Sequence, residues 1–275
     1  MLSDYFRYEA EISRIHLVPL LLRHGAVSRT ARVLDVGCGY GGTLLALKES
    51  LPDLRAEGLD VDAAMVAQGQ ERLGEAATLI HADFFSWSGG PFDLVLLRDV
   101  LEHIRRPEEA LVRAATLLTP GGFLFVSFAP FFGPFGGHQH NTSGPCSYLP
   151  WIQILPEAWL RRILRVSSNA YKQKHELEED LESVLRTRLT LRGFRRAADA
   201  AGLRLCHQAA YLSRPDYRIK FGLPSIRLPL LPGIAELLAT GVEALMRKST
   251  TLSGKAHCAG ADVGPAQTQT RSQRR

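Results

Sequence analysis

The stretch Val33-Leu34-Asp35-Val36-Gly37-Cys38-Gly39-Tyr40-Gly41-Gly42 constrains the fold more than any other part of the chain. An apolar run enters it, glycines turn it, and Thr43-Leu44-Leu45-Ala46-Leu47-Lys48 leaves it with helical character. The order is strand, tight turn, helix. Glycines at such a turn let the backbone pass close to a ligand and adopt dihedrals that a side chain forbids. The first turn of the following helix offers unpaired N–H groups. The segment therefore reads as the opening βα unit of a doubly wound α/β sheet, with a ligand over the turn.

Two glycine spacings fit. Gly37, Gly39 and Gly42 satisfy the dinucleotide pattern G-x-G-x-x-G, while Asp35, Gly37, Gly39 and Gly41 satisfy D-x-G-x-G-x-G. Electrostatics separates them. A pyrophosphate disfavours Asp35 two residues before the first glycine, because two anions then share a poorly solvated turn. A ligand bearing an ammonium group favours it. S-adenosylmethionine carries an ammonium, a carboxylate and a sulfonium, so an acid beside backbone N–H donors suits its methionine end. A nicotinamide dinucleotide is the poorer match.

The rest of the first half continues the pattern. Residues 5–24 place Phe6, Ile12, Ile15, Leu17 and Leu21 at helical spacing. Pro19 is expected to break them into two helices, the second ended by Gly25. They are either packing helices or a lid that brings Tyr5 and Tyr8 near the substrate. The second strand, residues 54–62, carries Asp60 nineteen residues after Gly41, where a carboxylate holds a ribose diol; Asp62 is the alternative. Met65, early in the next helix, is placed to touch an adenine face. A short third strand runs into Asp83-Phe84, where the acid can accept from an adenine amino group and the next N–H can donate to a ring nitrogen. Residues 92–98 form the apolar run of a central parallel strand, Pro107-Glu108-Glu109 opens a helix, and residues 123–128 are the fifth strand.

The pieces LDVGCGYGG (34–42), GLDVDAAM (58–65), HADFF (81–85), FDLVLLRDVLEH (92–103) and LLTPGGFLFVS (117–127) arrive in a characteristic order. Over residues 31–130 the chain resembles a class I S-adenosylmethionine-dependent methyltransferase of the small-molecule, ubiquinone-type branch. The resemblance implies a Rossmann-like α/β fold: a seven-stranded, mostly parallel sheet whose last strand is inserted antiparallel. It implies cofactor roles for Asp35, Gly37, Gly39, Asp60, Asp83 and Phe84. Cys38, Gly41, Val61, Met65 and Arg98 complete the expected cofactor-binding set.

Around that core we expect an N-terminal helical segment (1–30), a cap insertion (131–189), a C-terminal part of the sheet with a second insertion (190–248) and a disordered tail (249–275). Helices are expected near 156–166 and 175–188, and Thr190 can cap a helix from 191 to about 201. Residues 203–211 read as a sixth strand. Residues 237–248 read as the closing strand, although their periodicity also permits a helix. The composition, 45% hydrophobic and 22% charged, suits a packed globule. Of the net charge of +5, +3 lies in the tail, so the body is a poor electrostatic footprint for nucleic acid, and no DNA partner is expected. Four scattered cysteines, the absence of a membrane-length apolar run and the lack of a secretory leader point to a cytoplasmic protein.

Methyl transfer from a sulfonium is an in-line displacement, and a hydroxyl acceptor must also lose a proton. The turn after the fourth strand reads Arg98-Asp99-Val100-Leu101, unlike the (N/D)-P-P-(Y/F) turn of several amino-group methyltransferases. Oxygen is therefore the expected acceptor atom, on a sugar, polyketide or quinone-type molecule. The candidate bases are His138 and His140, in the Gly-rich loop after the fifth strand, with His103 nearby in the chain order of the site. Hydrogen bonds that merely pin that loop are the plainer role for them. Asp99, Glu102 and His103 resemble the E-x-x-E-H pattern of ubiquinone-pathway O-methyltransferases and of the plant small-RNA 2′-O-methyltransferase, which implies a divalent metal. Here Asp replaces the first Glu. Trp151, Trp159, Tyr148 and the phenylalanines from 128 to 135 could wall an apolar acceptor, or simply pack. Arg161, Arg162, Arg165, Lys172 and Lys174 could meet an acidic group, or form a solvated helix face. An RNA methyltransferase and a non-catalytic, cofactor-binding partner subunit are the alternatives.

Overall fold

Val33, Leu34 and Val36 are buried, and the run they belong to becomes the central strand β1 (Arg32–Val36). A computed structural model describes residues 2–138, 149–156, 158–159, 174–231 and 233–250. In it β1 pairs in parallel with β2 (Arg55–Asp60) on one side and β4 (Phe92–Arg98) on the other. The sheet continues in parallel to β3 (Thr78–His81) and β5 (Leu118–Phe128). Strand β8 (Gly241–Lys248) inserts antiparallel between β5 and β6 (Leu203–Ser213). The order is β3-β2-β1-β4-β5-β8-β6-β7. The central strand β4 is near-continuously apolar because helices cover both faces of the sheet.

The expected seven strands are present, with an eighth added. Strand β7 (Ile226–Leu228), a three-residue antiparallel edge on β6, lies in the second insertion. Its proline-flanked sequence carries no alternation long enough to announce a strand. Two boundaries also move. Val18 N–H reaches Ser13 O, so the N-terminal helix α1 (Leu2–Ile12) passes through a π-turn (Ser13–Leu17) into α2 (Val18–Arg23). Pro19 therefore does not break the helix; it follows directly on the π-turn, at the start of α2. At the far end, residues 237–248 are not all strand. Helix α9 (Ile234–Leu238) takes the first two, Thr240 N–H turns onto Tyr211 O at 2.8 Å, and β8 begins at Gly241.

The helices form as their ends dictate. Pro107 opens α5 (Pro107–Leu117) with Glu108 and Glu109 against the positive end of its dipole. Thr190 caps α7 (Leu191–Ala200), its hydroxyl accepting from Gly193 N–H at 2.9 Å. These two helices cover one face of the sheet, packing Leu111, Ala114 and Phe194 on Val95, Val126 and Phe128. On the other face α3 (Gly42–Ser50) and the N-terminal helices pack Leu17, Leu21, Leu44 and Leu47 on Leu94, Leu96, Phe125 and Leu245. The cap insertion contributes α6 (Lys174–Thr187), where a helix was expected near 175–188. The helix expected near 156–166 and the tail beyond residue 250 fall outside the described residues, apart from 156, 158 and 159. Among the described residues no helix is long and apolar enough to cross a membrane.

Candidate active site

The glycine turn folds as its sequence demands. Gly37 and Cys38 donate their N–H groups to Leu59 O at 2.8 and 3.0 Å, which locks the turn to β2. Gly39 has φ +52°, in the region that favours glycine. Its N–H donates to Asp60 Oδ2 at 2.8 Å. A Cβ at Gly39 would meet nothing closer than Glu9 Oε2 at 3.9 Å and the Met65 sulfur at 4.0 Å. The turn thus opens onto a cradle that has Glu9 on one side and Met65 on the other. Asp60 Oδ1 accepts from Asp62 N–H at 2.9 Å, and Asp62 in turn caps α4 (Ala63–Leu73) through Ala64 and Met65 N–H. Asp62 is therefore committed to the helix end, and Asp60 is the acid that touches the turn.

Charge at this cradle is unbalanced. Burial pushes the Glu9 carboxyl up to about 8, partly offset by Arg98, with Asp35 raising it further. Burial also pushes Asp35 up to about 7, again against Arg98, with Asp60 adding to the rise. Glu9 Oε2 is buried without a hydrogen-bond partner. Glu9 and Asp35 share one guanidinium with Asp60 close by, and Arg98 is itself held by Ser13 and Thr43 hydroxyls. A site of this kind fits a ligand that brings positive charge.

The other expected cofactor residues take up distinct positions. Val61 is exposed at the end of β2, next to the cradle in sequence. Asp83 is exposed, and its Oδ1 accepts from Phe85 and Ser86 N–H at 2.8 and 3.1 Å. Phe84 buries its ring in the core, so only its backbone can serve a ligand. Cys38 turns its thiol toward Gly58, and burial pushes that thiol well up, which makes it an inert packing group. Leu73 Cδ1 would lie 2.5 Å from a Cβ at Gly41, so this glycine serves helix packing.

The acceptor side lies beyond the carboxyl ends of β4 and β5. Asp99 follows β4 with φ +52°, uncommon for a residue with a side chain. Its Oδ2 accepts from Arg214 at 2.6 Å and its Oδ1 from Ser127 at 3.2 Å. Burial pushes the Asp99 carboxyl up, but Arg214, with Arg98 and His138, outweighs this and holds it well below the usual range. Arg214 also binds Asp216 at 3.1 Å, and Asp216 accepts from Tyr8 at 3.0 Å. The structure leaves Asp99 out of the metal-like cluster. It assembles Glu102, His103 and His138 instead, one donor atom from each within 4.8 Å of the others. Glu102 Oε1 accepts from Ala129 N–H at 3.1 Å and lies 3.6 Å from His138 Nε2. Glu102 Oε2 is buried with no hydrogen-bond partner. His103 Nδ1 meets Ser183 Oγ at 2.8 Å, and its ring stands 4.8 Å from that of His138. His138 also has positive φ, +56°, and such strained residues gather at working sites. Orphaned carboxylate oxygen and two imidazoles fit a divalent ion. His140, Tyr148 and Arg161 to Lys172 lie outside the described residues.

Reading the sequence missed Glu9, Arg214 and Asp216 as site residues. Glu9 sits in a helix whose pattern points to packing or to a lid carrying Tyr5 and Tyr8, and Arg214 and Asp216 reach the site from a different insertion. No local spacing could pair Tyr8 with Asp216 across 208 residues.

A family model described as a methyltransferase domain matches residues 34–124. Trans-aconitate 2-methyltransferase of Paracidovorax citrulli is 33% identical over 125 residues, covering 44% of this chain and 47% of that protein. Ubiquinone biosynthesis O-methyltransferase of Burkholderia thailandensis is 32% identical over 104 residues, 35% of this chain and 43% of that one. The chain thus spans about half the length of these curated relatives. Geranyl diphosphate C-methyltransferase of Streptomyces coelicolor, solved with Mg²⁺, geranyl diphosphate and S-adenosyl-L-homocysteine, superposes with a TM-score of 0.54. At 14% identity, covering 84% of this chain and 78% of that one, it supports the fold alone. With the glycine turn, its flanking acids and the sheet order, these findings show that residues 34–124 match a methyltransferase domain, set in a Rossmann-like α/β fold.

Proposed function

We propose that the chain transfers the methyl group of S-adenosylmethionine to a hydroxyl of a small-molecule acceptor, of sugar, polyketide or quinone type, in the cytoplasm. The observation that carries this reading is the buried Glu102–His138 pair, with its neighbour His103, beyond the same sheet end as the acid-lined cradle. S-adenosylmethionine, when bound, supplies a methyl group on a cationic sulfur, open to in-line displacement. Glu9 and Asp35 receive its ammonium group, and Asp60 accepts from the ribose hydroxyls. Val61 and Met65 line the adenine face, while Asp83 and the Phe84 N–H address its edge. His138 takes the acceptor's proton, and Glu102 steadies the imidazolium that forms. His103, oriented by Ser183, holds the His138 ring in place. The same three side chains would hold a divalent ion, which would lower the pKa of a bound hydroxyl.

A carboxylate acceptor, suggested by the name of the trans-aconitate relative, is the second reading. A carboxylate needs no base and wants a cationic clamp. Arg214, the guanidinium bound to Asp99 at this end of the sheet, is already committed to Asp99 and Asp216, which favours the hydroxyl. Calorimetry tests the donor: both S-adenosylmethionine and S-adenosylhomocysteine bind, and NAD does not. Binding of NAD instead would overturn the reading of the turn. His138→Ala lowers kcat for a hydroxyl acceptor by about 10²-fold or more. An unchanged kcat removes His138 from the mechanism. Activity that survives excess chelator keeps the base and dismisses the metal.

A further inference from the structure

Among the described residues, the second insertion carries a run of exposed large apolar side chains. It leaves β6 at Arg214, whose guanidinium is fastened to Asp99 and Asp216. The short helix α8 (Tyr217–Phe221), β7 and α9 follow. Along it Phe221 is 57% exposed, Leu231 54% and Leu237 53%, with Leu223 and Ile226 also exposed. A single exposed leucine is ordinary, but a run of large apolar side chains within one insertion is not. The turn that donates Trp151 Nε1–H to Leu237 O at 3.1 Å adds Ile154, 58% exposed.

The charges on this strap are one-sided. Arg218 and Arg227 are exposed, while Lys220 is turned toward Asp216 at 3.8 Å and the Tyr8 ring. Its two acids point inward: Asp216 is buried against Arg214 and Tyr8, and Glu236 accepts from Leu191 N–H at 2.8 Å. Among the described residues from 217 to 238, every exposed charge is positive. In a symmetric contact between two copies the same patch meets itself, so these cations would face cations. Apolar side chains flanked by cations match an anionic lipid surface, where the former enter the acyl boundary and the latter meet phosphates.

We propose that residues 217–238 seat the protein on the surface of an anionic bilayer, with the acceptor side held close to the lipid. The tie from Arg214 to Asp99 joins this strap to the end of β4, so an acceptor dissolved in the membrane would have a short path to the site. The proposal stands apart from the choice of acceptor and of base. Sedimentation of the full chain with vesicles tests it. The protein is expected to bind vesicles of phosphatidylcholine mixed with phosphatidylglycerol and to bind pure phosphatidylcholine about tenfold less. Leu231→Ser with Leu237→Ser, and separately Arg218→Gln with Arg227→Gln, should each weaken binding about tenfold or more. Unchanged calorimetric binding of S-adenosylmethionine checks that the variants stay folded. Equal binding to both vesicle types, or none to either, overturns the proposal. So does a concentration-dependent dimer that the serine variant dissolves, which assigns the surface to a second copy.

Discussion

Glu9 is the residue whose role is decided by its surroundings. Raised carboxyl groups have a definite consequence for pH. A group that binds its proton more tightly in the folded than in the unfolded chain stabilises the fold below its unfolded pKa and loses that contribution as pH rises through the folded one. With Glu9 moved from 4.5 to about 8, the ligand-free protein loses this contribution between about pH 4.5 and pH 8. Thermal melting of the wild type and Glu9→Gln across that range checks it: the variant's curve should be the flatter of the two. Binding a cationic ligand reverses the penalty, so affinity for S-adenosylmethionine should strengthen with pH, and Glu9→Gln should lower it about tenfold. At this scale the sequence was informative where chemistry is local. The placement of Asp35, Gly39 and Asp60 around the turn was legible because glycine turns and strand-end acids have fixed spacing. Glu9 was not, because its role comes from α1 folding over the turn, and Asp99 resembled a ligand only while Arg214 was out of view.

Elements with strong end signals formed where the sequence placed them. Strand β4 and helix α5 match their apolar run and their proline-acid start. Thr190 heads α7 because a hydroxyl there satisfies a helix N–H that would otherwise lack a partner. Thr190→Ala should cost about 1 kcal/mol in denaturant unfolding, while Thr190→Ser should restore most of it. Elements whose identity depends on neighbours were harder to read. Pro19 is tolerated because the preceding π-turn shifts the hydrogen-bond register, which composition does not reveal. Strand β7 exists because β6 extends far enough to offer it an edge.

For the whole molecule, the described N-terminal helices are joined to the last strand of the sheet. His16 Nε2 lies 2.6 Å from Glu243 Oε2, and Tyr211 donates to the other oxygen. Burial pushes the Glu243 carboxyl up, but its bonds to His16, His207 and Tyr211 outweigh this and hold it at about 2. A depressed carboxyl stabilises the fold above its unfolded pKa and loses that contribution as pH falls, here between about pH 4.5 and pH 2. Glu243→Gln should therefore lower stability at neutral pH and flatten the acid limb of an unfolding titration; parallel acid limbs for the two proteins would refute the assignment. The same closure bears on how the protein is made. Tyr8 and His16 meet partners 208 and 227 residues later in the chain. During translation these helices emerge long before β8 exists to receive them, so their docking is a late event in biosynthesis. Because Glu9 rides on the same helical run, a nascent chain that stops short of residue 243 would hold that run against α3 without the tie from His16 to Glu243.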